Sequence, residues 1–200
     1  MGRPNKSRIT REGATLAALA IIDAEGLESL SLELVARRLG VKAPSLYHHF
    51  RDKAELLAEV ARFVLMDLGD AGDNGDWEEA MVRLCIATRR TLLKHPNAAP
   101  LLLQFFPRHI MLRGYDRWVA SCPYPAETHM TLLEGTEKLT YASALFAAAA
   151  QARRLPAMPE VDAERLPHLA RAMAANPHGP EALFEQVIRR YLAGFRAAGR

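Results

Sequence analysis

The stretch Leu34-Val35-Ala36-Arg37-Arg38-Leu39-Gly40-Val41-Lys42-Ala43-Pro44-Ser45-Leu46-Tyr47-His48-His49-Phe50 decides the fold. Two short helices joined by a tight turn are common, but a helix-turn-helix built to enter a DNA groove asks for more. It needs a small residue inside its first helix so that the second can cross closely, and Ala36 stands there. It needs glycine at the turn, where the backbone goes left-handed, and Gly40 follows four residues later. It needs an apolar anchor six residues further on, and Leu46 supplies it. Val35, Val41 and Phe50 fill the space between. The spacing predicts helices over 32–39 and 43–50, the first N-capped by Ser31 and the second with Pro44 in its first turn.

Helical signals continue on both sides. Upstream, Ala14, Ala17, Ala18 and Ile21 fall at i, i+3, i+4 and i+7, predicting a helix over 10–25 that Gly26 stops. Downstream, Asp52 with Glu55 forms a capping box for a fourth helix, 52–68. The run Gly69-Asp70-Ala71-Gly72-Asp73-Asn74-Gly75-Asp76 then reads as a boundary. Beyond it the pattern predicts helices over 77–94, closed by His95-Pro96, then 101–106 and 108–121. A long helix over 126–154, bending at Gly135, follows. The last two are 162–175 and, after a turn at 176–179, 180–198. Strand alternation and internal repeats are missing. The expected class is all-α: an N-terminal three-helix helix-turn-helix domain in residues 1–68, a linker at 69–76, and a larger helical regulatory and dimerisation domain in 77–200.

Composition narrows the function. No apolar run exceeds seven residues in this 200-residue chain, against about 20 for a membrane span, so no membrane partner is expected. No apolar h-region of a secretory signal follows directly on the basic Met1–Arg8 stretch, and the expected compartment is the cytoplasm. The two cysteines, Cys85 and Cys122, form no metal-spaced pair and are expected as buried free thiols. His48-His49 is no metal pair either, because adjacent helical residues point about 100° apart. No metal or cofactor is expected. An enzyme using His109 with Glu134 lacks any nucleophile or metal spacing in support. Residues 1–53 hold nine Lys/Arg against six Asp/Glu, and that excess equals the whole net charge of +3. A basic end on a neutral body suits a polyanion.

Residues 9–63 resemble the N-terminal domain of TetR-type transcriptional repressors. The resemblance rests on Leu27-Glu28-Ser29-Leu30-Ser31, on Leu34 to Val41, on Pro44 to Phe50 and on Asp52-Lys53-Ala54-Glu55-Leu56-Leu57. Trp77, Leu92-Leu93-Lys94-His95-Pro96 and the closing Phe184 to Phe195 segment resemble the regulatory domain of the tetracycline-repressor branch. The resemblance implies a DNA-binding set of Arg3, Lys6, Ser31, Lys42, Ala43, Pro44, Ser45, Tyr47, His48, His49 and Lys53. Lys42 can donate to guanine O6/N7, Ala43 can touch a thymine methyl, and Ser45 tolerates either kind of base. Tyr47, His49 and Lys53 match positions at the phosphate backbone, and Arg3 and Lys6 trail toward the minor groove. Glu33 departs from the family, standing where several members carry a basic or polar contact.

Two further sets are expected in the second domain. Leu132, Gly135, Leu139, Ala142, Phe146 and Ala149 recur at heptad spacing, and Leu183, Phe184, Val187, Ile188, Tyr191, Leu192 and Phe195 form an apolar arc on the last helix. The resemblance implies that two such helices from each protomer build a four-helix homodimer interface. His95, Phe105, His109, Met111, Tyr115, Trp118, Met130 and Glu134 mix bulky apolar with polar groups, as a small-molecule pocket does. The expected protein is a homodimeric repressor of a palindromic operator, released by a small effector, with the 52–68 helix as lever. A protein–protein adaptor on the same fold would show a degraded reading helix, yet Lys42, Ser45, Tyr47 and Lys53 are all in place.

Overall fold

The computed structural model describes residues 9–66, 75–176 and 178–198, and every regular element among them is helical. Arg3, Lys6 and most of the expected linker lie outside the described residues. Helix α1 (Arg11–Glu25) begins where Thr10 Oγ1 accepts from the Gly13 amide at 3.0 Å, and it buries Ala14, Ala18, Ile21 and Ile22. Gly26, at φ 86°, ends it. Helix α2 (Leu32–Arg38) is capped by Ser31, whose Oγ accepts from the Leu34 amide at 3.1 Å. Gly40 takes φ 67°, and the Val41 amide closes the turn onto Ala36 O at 3.0 Å. Ala36 (2% exposed) and Leu46 (fully buried) sit in the same core cluster, as the motif spacing demands.

Helix α3 (Pro44–Tyr47) is shorter than the expected 43–50. Ser45 and Leu46 donate three residues back, to Lys42 and Ala43, and His49 donates to Leu46, so one α turn is flanked by 3₁₀ turns. Helix α4 (Lys53–Met66) starts at Asp52, whose Oδ1 accepts from the Glu55 amide at 2.8 Å. The reciprocal bond runs from the Arg51 amide to Glu55 Oε2 at 2.9 Å, one residue earlier than a standard capping box.

Helix α5 (Trp77–Lys94) is capped by Asp76. The expected 101–106 helix is a 3₁₀ turn, Ala99–Leu103, with Pro100 in its first turn. Helices α6 (Arg108–Ala120), α7 (His129–Ala152), α8 (Pro167–Ala174) and α9 (Pro180–Ala198) complete the chain. Pro167 opens α8 rather than sitting inside it, which shortens the expected 162–175 helix from its front. Two apolar clusters hold the molecule together. The first joins α1–α4 to Leu92, Ala98, Leu101, Leu102 and Ala144, so the core of the reading head continues into the second bundle. The second packs Met81, Val82 and Cys85 of α5 against Leu132 of α7 and Phe184, Ile188 and Leu192 of α9.

Candidate functional site

The edge of the helix-turn-helix is outward-facing. Lys42, Pro44, Tyr47, His48 and Lys53 are exposed, while Leu46 and Phe50 are buried beneath them. Tyr47 is 51% exposed, unusual for a residue whose only task would be packing. Ala43, Ser45 and His49 are half-buried at the base of the edge. The Ser31 hydroxyl already accepts the α2 cap bond, and Glu33 is exposed on that helix.

Sequence reasoning passed over Arg11, which holds this edge in place. Its guanidinium donates to His49 O and, at 3.0 Å, to Glu55 Oε1, and it lies 4.4 Å above the Phe50 ring. One side chain thus ties the start of α1 to the exit of α3 and the first turn of α4. The Arg51 amide, the Arg51 guanidinium and Arg11 hold the Glu55 carboxyl down at about 2. The hint in the sequence was only Arg11's place in a basic N-terminal run, where it read as one more charge.

His95 belongs to a different place from the expected pocket. Its Nδ1 lies 2.7 Å from Asp23 Oδ2, and Asn97 Nδ2 donates to Asp23 O at 3.0 Å. The ends of α1 and α5 are therefore linked by polar groups. Asp23 Oδ1 is buried there without a partner.

A cavity of about 70 Å³ opens between α5, α6 and α7. Met111, Tyr115 and Trp118 line it, as expected, together with Cys85, Thr88, Thr136, Glu137, Thr140 and Tyr141, which sequence reasoning did not select. The other expected pocket residues are elsewhere. Phe105 packs on the first core, His109 is exposed, Met130 is 64% exposed, and Glu134 pairs with Lys138 and Arg108 at the surface. Helical spacing puts His109, Met130 and Glu134 on helices that border the cavity but cannot say which side faces it, and Phe105 lies in the connection before α6. Glu137 accepts from the Tyr115 hydroxyl with one oxygen and from Arg108 with the other, clasping α6 to α7 beside the cavity. Burial, with the Glu137 carboxylate beside it, pushes the Tyr115 phenol up. Burial also pushes the Cys85 thiol up to about 11, against a smaller opposing pull from the Thr140 hydroxyl, so it is a neutral group.

The heptad seam divides along its length. Leu132, Phe184 and Ile188 lie inside the protomer's own core, leaving no surface for a partner. Tyr191 donates its hydroxyl to Thr131 O at 2.7 Å, and Phe195 packs edge-on to Tyr191 and tilted against Tyr124, so both serve the same protomer. Leu139, Ala142, Phe146, Ala149 and Val187 remain at least partly open, and Leu183 joins them. Phe146 is 80% exposed. A straight helix drifts about 20° per heptad, which turns Phe146 only about 40° from Leu132, so the difference lies in what packs on α7: Leu132 lies in a cluster with Ile188 and Leu192 of α9, and Phe146 is left open. Gly135 does not mark an end or break in α7, which runs unbroken from His129 to Ala152; Tyr191 crosses there.

Comparison with known proteins agrees with this architecture. The family model described as bacterial regulatory proteins, tetR family, matches residues 15–60, and that of the tetracyclin repressor-like C-terminal domain matches 69–198. The class D tetracycline repressor protein of Escherichia coli is 27% identical over 134 residues; the chain spans 64% of itself and 59% of that repressor's length. The class A tetracycline repressor protein from transposon 1721, also of Escherichia coli, is 27% identical over 180 residues, covering 85% of this chain and 82% of that protein. A possible TetR family transcriptional regulator from Streptomyces coelicolor A3(2) superposes with a TM-score of 0.77 at 26% identity, covering 94% of this chain and all of that one. The Streptomyces coelicolor protein ActR, solved in complex with actinorhodin, shares the fold at a TM-score of 0.74 and 24% identity, over 96% of this chain and 99% of that one.

Proposed function

Because the chain belongs to the TetR family of DNA-binding transcriptional regulators, we propose that it acts as a repressor: a homodimer that grips a palindromic operator and is released by a small-molecule effector. The observation that carries the reading is the outward edge of Lys42, Tyr47 and Lys53 standing over buried Leu46 and Phe50. The edge is carried by the short α3, and a single helix fits a major groove about 12 Å wide. Lys42, Ala43 and Ser45 meet base edges. Tyr47, His49 and Lys53 meet the phosphates, and Pro44 and His48 flank them. Ser31 sets the start of α2 by its cap. One such edge reads too few base pairs for useful specificity, and two on a symmetric dimer read a two-fold site.

The dimer forms through Leu139, Ala142, Phe146, Leu183 and Val187 of α7 and α9. Full burial of a phenylalanine side chain contributes about 1.5–3 kcal/mol, and Phe146 is free to make that contribution in each protomer. The effector occupies the α5–α6–α7 cavity. An apolar cavity of about 150 Å³ holds benzene, so this cavity must widen to take a ring compound, and that widening moves α6 against α5. The Asp23–His95–Asn97 contact then passes displacement of α5 to α1, and α4 follows through the shared core.

Selection of bound fragments from a genomic pool tests the reading. The retained sites should be palindromic, and affinity should fall steeply with salt as phosphate contacts release counterions. Lys42→Ala should alter preference at one base pair per half-site, whereas Tyr47→Phe should weaken all sites alike. Retention of no sequence in common, or a flat salt profile, refutes the reading.

A further inference from the structure

Three threonines line the cavity, and they are not equivalent. Thr88 Oγ1 donates to Leu84 O at 2.8 Å and Thr136 Oγ1 to Leu132 O at 2.9 Å, each back along its own helix. Thr140 is 3% exposed, and its Oγ1 has no hydrogen-bond partner. The Cys85 thiol beside it is neutral, and the pull between thiol and hydroxyl is small against the burial of the thiol. Back-bonding satisfies Thr136 one turn earlier on the same helix. A buried hydroxyl left unpaired pays its desolvation with nothing in return.

The charge of the wall limits what can enter. Among the described residues the lining has one carboxylate, Glu137, and no Lys, Arg or His. Glu137 is engaged by Tyr115 and by Arg108, which approaches from the exposed side. An anion placed in the cavity would lose its water, face a carboxylate and find no cation in the wall. Met81 and Met111, unbranched and adaptable, can give way to a ring.

We propose that the cavity takes a neutral, largely apolar ring compound carrying one hydroxyl or carbonyl oxygen, hydrogen-bonded to Thr140 Oγ1. The assignment rests on the reading of this cavity as the effector site. It makes Thr140 the residue that sets orientation and selects for the polar atom. The remaining wall supplies apolar and aromatic contact.

The test uses p-cresol, p-toluate and p-xylene, ring compounds of similar shape that differ in one substituent. The chain's two tryptophans report on binding without DNA, since Trp118 is in the wall and Trp77 packs edge-on to it at 5.7 Å. In the full-length protein, p-cresol should bind at least tenfold tighter than p-toluate and measurably tighter than p-xylene. Thr140→Val should bring p-cresol to the level of p-xylene, and Thr140→Ser should keep the preference. Thr140→Val should also melt no lower than the parent, because it removes only an unpaired hydroxyl. Equal binding of p-toluate, an undiminished p-cresol preference in Thr140→Val, or no binding by any of the three overturns the assignment. Operator release is measured separately. Binding of p-cresol without release contradicts the effector reading and leaves the ligand class standing.

Discussion

Replacing Gly135 by alanine should reverse the usual effect of that change in a helix. Alanine in a helix interior is favoured over glycine by about 1 kcal/mol, so Gly135→Ala on an unobstructed helix is stabilising. Here a Cβ on Gly135 would stand 1.8 Å from Tyr191 Oη and 2.2 Å from Cζ, so the tyrosine ring must leave. Its departure breaks the 2.7 Å bond to Thr131 O, a loss of about 1 kcal/mol. Displacing the ring at the α7–α9 crossing adds the usual overpacking cost of about 1–3 kcal/mol. The balance is a net loss of about 1–3 kcal/mol, or a fall of roughly 2–12 °C in melting temperature for a chain this size. In a Tyr191→Ala background the obstacle is absent, and the same Gly135→Ala change should stabilise by about 1 kcal/mol. Urea denaturation of the four proteins at one fixed concentration measures the cycle, the fixed concentration cancelling any contribution from self-association. If Gly135→Ala stabilises the protein with Tyr191 intact, or changes both backgrounds equally, close approach is not the reason for glycine there.

Phe146→Glu should yield a monomer that keeps its helical content but loses high-affinity operator binding, as sedimentation and anisotropy would report; a persistent dimer places the interface elsewhere. Asp23→Ala and His95→Ala should each destabilise by about 1 kcal/mol, a charge-assisted bond discounted for its partial exposure. Their double mutant should show an interaction of at least about 0.5 kcal/mol, and strict additivity would show that the two do not communicate. Glu55, folded near 2 against about 4.3 when unfolded, contributes stability that is complete above the unfolded value and lost as pH falls through the folded one. Acid titration of stability between pH 4.5 and 2 should therefore be shallower for Glu55→Gln than for the parent, and parallel curves would dismiss the Arg11–Glu55–Arg51 clasp.

The reading head was legible in the sequence because its determinants are local. Ala36, Gly40 and Leu46 fix a crossing of two adjacent helices, and a few residues of spacing carry that geometry. Helix ends were legible where side-chain chemistry fixes them, as at Ser31, Asp52 and Asp76, and blurred where proline chooses between opening a helix and interrupting it, as at Pro167. The second bundle was legible as helices but not as a packing. Eight residues were expected around a pocket and three line it, because periodicity names a face without naming its neighbour.

The sequence by itself determined an all-helical chain, a trihelical head with a basic outward edge, and the family resemblance carried by that edge. Tertiary structure alone decided that His95 meets Asp23 across 72 residues of chain, that Tyr191 passes over Gly135, and that Thr140 keeps an unpaired hydroxyl in a cavity wall. The division follows from range: contacts within a turn or two are fixed by local backbone geometry, while contacts between distant helices depend on how each helix rotates about its axis, and only the packed whole sets that rotation.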